Sequence, residues 1–179
     1  MRYMLESDAC VALIKRKPEA AIRRISGLEP GDAGISSLTL AELRRGAAQS
    51  ASAESDAAAL EEFLLPLEIA DFGTAAAETY GRVRAELEAA GTPIAAEAAR
   101  IGAHALNLNA VLVAPDVALY GHIPGLQVED WTGPIPAAAP ARAARQVPPA
   151  PTAHPTRHAP PSRPENVGGN EGPLDPSLL

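Results

Sequence analysis

Short apolar runs alternate along this sequence with longer segments in which apolar residues recur at helical spacing. This alternation constrains the fold more than any other feature, because strands joined by crossover helices pair in parallel. The predicted strands cover residues 2–5, 33–36, 67–70, 110–113 and 126–128. The predicted helices cover residues 9–15, 19–26, 39–48, 53–64, 75–89 and 95–108. The sequence therefore predicts an α/β fold with a mainly parallel sheet flanked by helices.

The composition changes sharply near residue 133. Twelve of the 18 prolines lie in residues 133–179, whereas all six aromatic residues lie before Gly133. A segment so poor in large apolar side chains cannot bury enough surface to offset the entropy that it would lose on ordering. We therefore predict one folded domain over residues 1–132 and a disordered, Pro/Ala-rich tail over residues 133–179.

Simple counts exclude several classes of protein. One cysteine cannot form a disulfide within the chain or supply a zinc-binding CxxC pair. No run of about 18 apolar residues is present, and two acids precede any long apolar run, which argues against a membrane span or a secretory signal. We therefore expect a cytoplasmic protein without a membrane segment. A net charge of −7 argues against broad electrostatic capture of nucleic acid, although local basic clusters are present.

Acidic residues follow the ends of three predicted strands. Glu6 and Asp8 follow the first strand, Glu42 lies in the helix after the second, and Asp116 follows the fourth. In α/β sheets, ligands bind beyond the carboxyl ends of the strands, so these acids are expected to converge. Ligand sets made only of oxygen suit Mg²⁺ or Mn²⁺, and such an ion would support hydrolysis of a phosphodiester bond.

Local structure offers a second explanation for most of these acids. Thr39 to Glu42 fits the T-x-x-E capping box, Asp8 could cap the helix after it, and Asp116 could belong to a simple turn. Glu6 alone has no evident capping role. From the residues alone, metal binding and helix capping therefore stay open as alternatives. A mononucleotide-binding protein is a weaker third hypothesis, because no GxGxxG, GKS or GKT phosphate loop is present.

Two stretches of the sequence resemble a known family. They are residues 35–46 (ISSLTLAELRRG) and residues 124–131 (PGLQVEDW), and the similarity runs from Arg2 to Trp131. Both are similar to PIN-domain ribonucleases, specifically the VapC-type toxins of bacterial toxin–antitoxin pairs. The resemblance implies a Rossmann-like sheet, an acidic site that binds Mg²⁺ (or Mn²⁺), and endonucleolytic cleavage of RNA. It also implies homodimerisation and inhibition by a cognate antitoxin.

The acids that the family would place in the site carry over unequally. The first, normally Asp, is Glu6 here, whereas the second and fourth match Glu42 and Asp116. The third falls on Ala98, which has no ligand atom, and Glu97 one residue earlier is its expected substitute. The Thr usually found two residues before the fourth acid is Ala114. The resemblance thus predicts the metal ligands Glu6, Glu42, Glu97 and Asp116, and the catalytic residues Glu6, Asp8, Glu42 and Asp116.

The altered positions support a hypothesis from a different functional class. Glu6 and Ala98 would also suit a degenerate PIN-like module that still dimerises or binds an antitoxin but does not cleave RNA. His104, which lies among apolar residues on the last predicted helix, is expected to be a structural, hydrogen-bonded histidine.

Overall fold

The computed structural model describes residues 1–133, so the predicted tail lies outside the described residues except for Gly133. Five strands are present there: β1 (Tyr3–Leu5), β2 (Ala33–Ser36), β3 (Glu68–Ala70), β4 (Val111–Val113) and β5 (Val128–Glu129). Seven helices accompany them in the same residues: α1 (Ser7–Ile14), α2 (Glu19–Ser26), α3 (Ser37–Ala48), α4 (Ala53–Leu64), α5 (Thr74–Ala89), α6 (Ala96–Asn107) and α7 (Val117–Tyr120). None of these helices is both long and apolar enough to cross a membrane.

The strands form one parallel sheet in the order β3-β2-β1-β4-β5. In the centre, Leu5 of β1 lies between Ile35 of β2 and Val113 of β4. The chain leaves β1 for β2 on one side and later places β4 on the other, so the strand order reverses beside β1. In open α/β sheets the crevice at such a reversal is where ligands bind. The predicted α/β, Rossmann-like fold is confirmed.

Hydrophobic cores cover both faces of the sheet. Met4 and Leu112 point toward α5 and α6, whereas their neighbours Leu5 and Val113 point toward α1, α3 and α4. This alternation follows from the pleat of a strand, which sends successive side chains to opposite faces. Strands buried on both faces read as continuous apolar runs, which explains why they stand out in the sequence.

Three helices, α1, α3 and α5, begin earlier than predicted, and the shifts of α1 and α3 each remove a capping explanation. Helix α1 begins at Ser7 with Glu6 as its N-cap, so Asp8 lies inside the helix and does not cap it. Helix α3 begins at Ser37, and the Oγ of Ser36 accepts the Leu38 N–H. Thr39 therefore lies within α3, and its buried Oγ1 has no hydrogen-bond partner among residues 1–133. The capping-box interpretation of Glu42 was wrong.

Candidate functional site

Glu6 lies directly beyond β1 at the carboxyl edge of the sheet. Its carboxylate accepts hydrogen bonds from the Ser7 hydroxyl and from the Asp8 backbone N–H, each at 3.1 Å. The expectation that Glu6 has no capping role was therefore wrong, because this side chain caps α1. Burial, and then the negative charge of Asp8, raise the pKa of Glu6. The protein thus holds a partly desolvated carboxylate at the head of the central strand.

Glu42 of α3 is in contact with a second acid, Glu97 in the first turn of α6. Glu97 lies near enough to Glu42 to raise the pKa of that carboxyl group. Burial is the largest cause that raises the pKa of Glu42 to about 7, and the neighbouring acids Glu97 and Glu6 add to it. The nearby Ser7 side chain opposes this effect and lowers the pKa of Glu42. Ser7 therefore lies near two acids of the cluster.

Asp116 follows β4 and caps the short helix α7. Its Oδ1 accepts the Leu119 N–H at 3.0 Å, and the side chain is otherwise exposed to solvent. Helix α7 was not predicted from the sequence. It ends at Tyr120, which returns to the buried side of the site.

Tyr120 shows that the acids from separate strands converge. This residue is only 3% exposed, and burial is the main reason that its pKa is raised. The negative charges of four acids raise it further: Glu6, Glu42, Asp8 and Asp116. All four therefore lie near one phenol, which keeps its proton. With Glu97 against Glu42, five carboxyl groups share this edge of the sheet, and we call them the acid cluster.

Positive charge does not balance the acid cluster. Within residues 1–133, none of its five members forms an ion pair with Lys, Arg or the N-terminus. Like charges gathered without a counter-charge raise one another's pKa and attract a cation. Carboxylate oxygen is the donor type that Mg²⁺ and Mn²⁺ prefer. The donor set therefore fits a divalent ion in charge and in chemistry.

Within residues 1–133, the carboxylate oxygens of the acid cluster do not form a ligand set for a metal ion. No group of three His, Cys, Asp or Glu side chains in the described part of the chain is spaced to hold a metal ion. The hydrogen bonds explain this spacing: Glu6 and Asp116 turn toward backbone N–H groups, and Glu42 turns toward Glu97.

Comparison with known proteins identifies the family. The model of the PIN domain matches residues 3–120. The chain belongs to the PIN-domain family. A relative from Salmonella typhimurium, the tRNA(fMet)-specific endonuclease VapC, is 38% identical over 131 residues, which are 73% of this chain and 98% of that protein. Ribonuclease VapC2 of Rickettsia felis is 36% identical over 132 residues, again 73% of this chain and 98% of that protein. Within the family, the chain thus belongs to the VapC ribonucleases.

A solved structure agrees with this assignment. VapBC2 from Rickettsia felis, bound to a DNA fragment from its promoter, matches with a TM-score of 0.68 at 35% identity, covering 72% of this chain and 98% of that chain. The architecture of the PIN domain is therefore shared over the whole folded part.

Two positions at which the resemblance predicts polar side chains are alanines in this chain. Ala98 is partly buried and packs against the core beside α5 and α6, and Ala114 is 1% exposed. Neither supplies an oxygen to the acid cluster. Because Glu97 lies near Glu42, it supplies a carboxyl group in the region where residue 98, an alanine, supplies none.

Sequence reasoning assigned no role to Tyr120 or Ser7. A signal for Tyr120 was present, because it lies four residues after Asp116, the spacing that brings two residues onto one face of a helix. Ser7 lies between Glu6 and Asp8, but its contact with Glu42 depends on how α1 and α3 pack, which the sequence does not display. The structure confirms His104 as a buried, hydrogen-bonded residue.

Proposed function

We propose that this chain is an endoribonuclease toxin that depends on Mg²⁺ or Mn²⁺ and hydrolyses phosphodiester bonds of cytoplasmic RNA. The observation that carries the proposal is the acid cluster: four carboxyl groups that follow three strand ends and act on one buried phenol, with Glu97 of α6 beside Glu42, and no ion pair to any of the five within residues 1–133. Its relatives support the RNA substrate, since they are named as ribonucleases and as a tRNA endonuclease. The proposed metal ligands are Glu6, Glu42, Glu97 and Asp116.

Each member of the acid cluster has a distinct task in this proposal. When bound, the ion supplies a Lewis acid that stabilises phosphoryl charge and makes a water molecule more acidic. Glu6 and Asp116 provide carboxylates from the two central strands, β1 and β4. Glu42 of α3 and Glu97 of α6 would provide the two further carboxyl groups of the ligand set. Asp8, which is exposed beside Glu6, is placed to accept a proton from attacking water.

Tyr120 and Ser7 hold these acids in place. The Tyr120 hydroxyl stays protonated because burial and surrounding negative charge oppose its ionisation, so it can donate a hydrogen bond within the cluster. The Ser7 hydroxyl donates to Glu6 and also contacts Glu42, which links the end of β1 to α3.

A cognate antitoxin and a second copy of the chain are the proposed protein partners. Solved relatives are complexes named VapBC, such as VapBC-1 of nontypeable Haemophilus influenzae, which is 32% identical with a TM-score of 0.67 and covers 74% of this chain and 100% of that chain. A groove of about 600 Å³ between α1, α2 and α4 suits an apolar segment of such a partner. Apolar side chains dominate its walls, including Leu13, Ile22, Ile25 and Phe63.

A second candidate function is a PIN module that binds an antitoxin without cleaving RNA. It is supported by Ala98 and Ala114, which contribute no oxygen, and by the lack of a ready ligand set in residues 1–133. The double substitution Glu6→Asp with Ala98→Asp separates the two candidates. If only the substituted protein inhibits bacterial growth, the module is inactive as it stands; if the unaltered protein is already toxic, the module hypothesis fails.

The direct experiment incubates the full-length protein with tRNA and other structured RNAs in Mg²⁺ or Mn²⁺. We expect cleavage that EDTA abolishes and that Glu42→Gln removes. The matched control is Glu61→Gln, which changes an exposed glutamate paired with Arg44 outside the acid cluster. Cleavage that persists in EDTA or survives Glu42→Gln would contradict the proposal, because it would point to another active centre or to a contaminant.

A further inference from the structure

A cavity of about 440 Å³ lies between α1, α3 and α4 and opens beside the acid cluster. Glu42, a member of the cluster, lines it, and so does Ser7, which follows Glu6. The same cavity is lined by residues farther along the three helices, as far as Lys15 on the side of α1 and Ser50 on the side of α3. We call it the α1–α3–α4 cavity. A ligand that reaches the acid cluster can therefore extend into it.

The walls of this cavity carry positive charge that is not neutralised by an ion pair within residues 1–133. Lys15 and Arg45 line the cavity, and both are exposed. Neither forms an ion pair in the described residues, and Arg45 donates only to the neutral side chain of Gln49, at 2.9 Å. Arg44, by contrast, does not line the cavity and is paired with Glu61 at 2.7 Å. The two cations that face the cavity are therefore available to an anion.

The floor of the cavity is apolar. Leu43 and Leu60 are buried there, and Val11 is half-buried beside them. Such a surface suits the flat face of a nucleobase that has left its stack, as bases do in single-stranded RNA. Asp56 of α4 also lines the cavity, and a carboxylate accepts hydrogen bonds from the N–H groups at the edge of a base. The cavity thus offers cations for phosphate, an apolar surface for a base and an acceptor for its edge.

Helix geometry gives the cavity a direction away from the acid cluster. Helix α1 follows β1 and helix α3 follows β2, so both begin at the carboxyl edge of the sheet, and they are in contact with each other. Lys15 lies eight residues beyond Ser7, or about 12 Å along α1. Arg45 lies three residues beyond Glu42, on the same face of α3. A distance of about 12 Å matches about three phosphates of a stacked strand.

We propose that the α1–α3–α4 cavity binds the unpaired RNA nucleotides that flank the bond to be cut, with Lys15 and Arg45 on their phosphates and a base on the apolar floor. This inference rests on the proposed function, because the same RNA has to reach the acid cluster. The charges favour RNA over an apolar protein segment, which would cover the floor but leave both cations without an anion, at a cost in free energy. The RNA segment recognised is single-stranded, since bases paired in a duplex cannot enter a cavity of this size.

A glycine on the wall of the cavity allows it to be blocked without damage to the fold. Gly46 of α3 lines the cavity, and a Cβ atom added there would meet no other atom within 4 Å. Gly46→Leu therefore places a side chain in open space, and it should raise stability because glycine is unfavourable inside a helix. The matched control is Gly81→Leu in α5, where an added Cβ also meets nothing within 4 Å and which does not line the cavity.

The first measurement is RNA binding in EDTA at low salt, which prevents cleavage that depends on metal. The probe is a fluorescently labelled oligoribonucleotide of about ten nucleotides, used alone and annealed to its complement, with the full-length protein. We expect the unpaired probe to bind more tightly than the duplex. Gly46→Leu should weaken binding of the unpaired probe by about tenfold or more while it raises the melting temperature. Gly81→Leu should also raise the melting temperature but leave RNA affinity unchanged.

The second measurement tests the two cations. Lys15→Gln and Arg45→Gln are compared with Lys17→Gln and Arg44→Gln, which change neighbouring exposed bases that do not line the cavity. Each phosphate contact of a single strand contributes about 0.7 to the slope of log affinity against log salt, or about fivefold between 1 M and 0.1 M salt. Each cavity variant should lose this contribution, and in Mg²⁺ it should raise KM for RNA by a similar factor with kcat little changed. Both control variants should behave like the unaltered protein.

These measurements separate failure of this proposal from failure of the proposed function. Unchanged RNA affinity in Gly46→Leu would overturn the proposal and leave a protein segment as the occupant of the cavity. It would also be overturned if the variants of Lys15 and Arg45 match their controls, or if the unaltered protein binds the unpaired probe in neither EDTA nor Mg²⁺. If the unaltered protein binds RNA through the cavity but never cleaves it, the proposed function fails and this proposal stands.

Discussion

Two glutamates near the carboxyl edge of the sheet have opposite surroundings. Glu129, the last residue of β5, accepts hydrogen bonds from Arg24 at 2.8 Å and from the Trp131 indole N–H at 2.9 Å. The Arg24 guanidinium also lies 5.8 Å from the centroid of the Trp131 ring. Glu42 has another acid, Glu97, as its neighbour and no basic partner within residues 1–133.

The difference teaches how to read a carboxylate in this fold. A carboxylate that is paired with a cation and accepts a hydrogen bond from an N–H has its charge balanced. Such a carboxylate connects secondary-structure elements and is poorly available to bind a ligand. A carboxylate held beside other acids stores unfavourable electrostatic energy in the free protein, and a divalent cation would relieve it. Glu129 therefore serves the architecture, whereas Glu42 is one of the residues that we propose for chemistry at the same edge of the sheet.

The largest expected effect is on RNA cleavage, which should differ between variants of Glu42 and Glu129. Glu42→Gln should lower RNA cleavage by more than about 100-fold, since even residues that only support a metal ligand cost about 10- to 100-fold when changed. Glu129→Gln should cleave RNA at close to the original rate. Initial rates with saturating Mg²⁺ make the comparison, and circular dichroism checks that both variants fold. Equal losses of RNA-cleaving activity in both variants would show that Glu42 and Glu129 do not differ in function.

The next effect concerns pH. The pKa of Glu42 is about 7 in the folded protein against an ordinary value of 4.5, so the folded, metal-free form keeps its proton longer than the unfolded chain does. The contribution of Glu42 to stability is therefore fully present below about pH 4.5 and is lost as pH rises through 7. Mg²⁺ needs the ionised form, so its affinity should rise about tenfold from pH 6 to pH 8.

Calorimetry in two buffers with different ionisation enthalpies tests the pH effect. At pH 6 each bound Mg²⁺ should release close to one proton, and at pH 8 far less. Glu42→Gln should abolish that release. Proton release that does not change between pH 6 and pH 8 would show that Glu42 titrates elsewhere than near neutrality.

A smaller effect is expected on the stability of the protein when Glu129, which pairs with Arg24, is changed. Glu129→Gln keeps one acceptor oxygen but loses the charge that attracts Arg24, so it should lower the free energy of unfolding by about 1 kcal/mol. Urea denaturation of the metal-free protein measures this. Glu42→Gln, by contrast, removes a like-charge contact and should leave stability at neutral pH unchanged or higher. A clear loss of stability in Glu42→Gln would mean that Glu42, too, is mainly structural.

The smallest effect is expected at the surface, where both partners are exposed. Glu61 accepts from Arg44 at 2.7 Å, with more than half of each side chain in solvent. Arg44→Gln should change the free energy of unfolding by less than about 0.5 kcal/mol. A larger loss in the same denaturation experiment would show that Arg44 does more than pair with Glu61.

Much of the fold could be predicted because its signals are local. Helices α2 and α4 and strand β2 have the predicted ends, since turn residues and helical spacing mark them in the sequence. Helix α7 was missed because four residues are too few to show a helical period. The early start of α1 was missed because glutamate is an unusual N-cap residue, so Glu6 gave no capping signal.

The convergence of the acids could be anticipated from the rule about strand ends, but the pairing of particular acids could not. Glu97 and Glu42 lie on different helices that are far apart along the chain, and the spacing within α6 alone argued against their contact. The role of Tyr120 depends on distances between segments that are far apart along the chain. The assignment of individual metal ligands therefore remains a prediction.

The position of β1 between β2 and β4 has a consequence during synthesis. Tyr3 of β1 pairs with Val111 of β4. Strand β1 leaves the ribosome first, but it cannot pair on this side until β4, the fourth of the five strands, has been made. Until then Glu6 and Asp116 belong to separate parts of an incomplete chain, and the cluster cannot form. A truncated or half-translated polypeptide would hence lack the site that we propose for RNA cleavage.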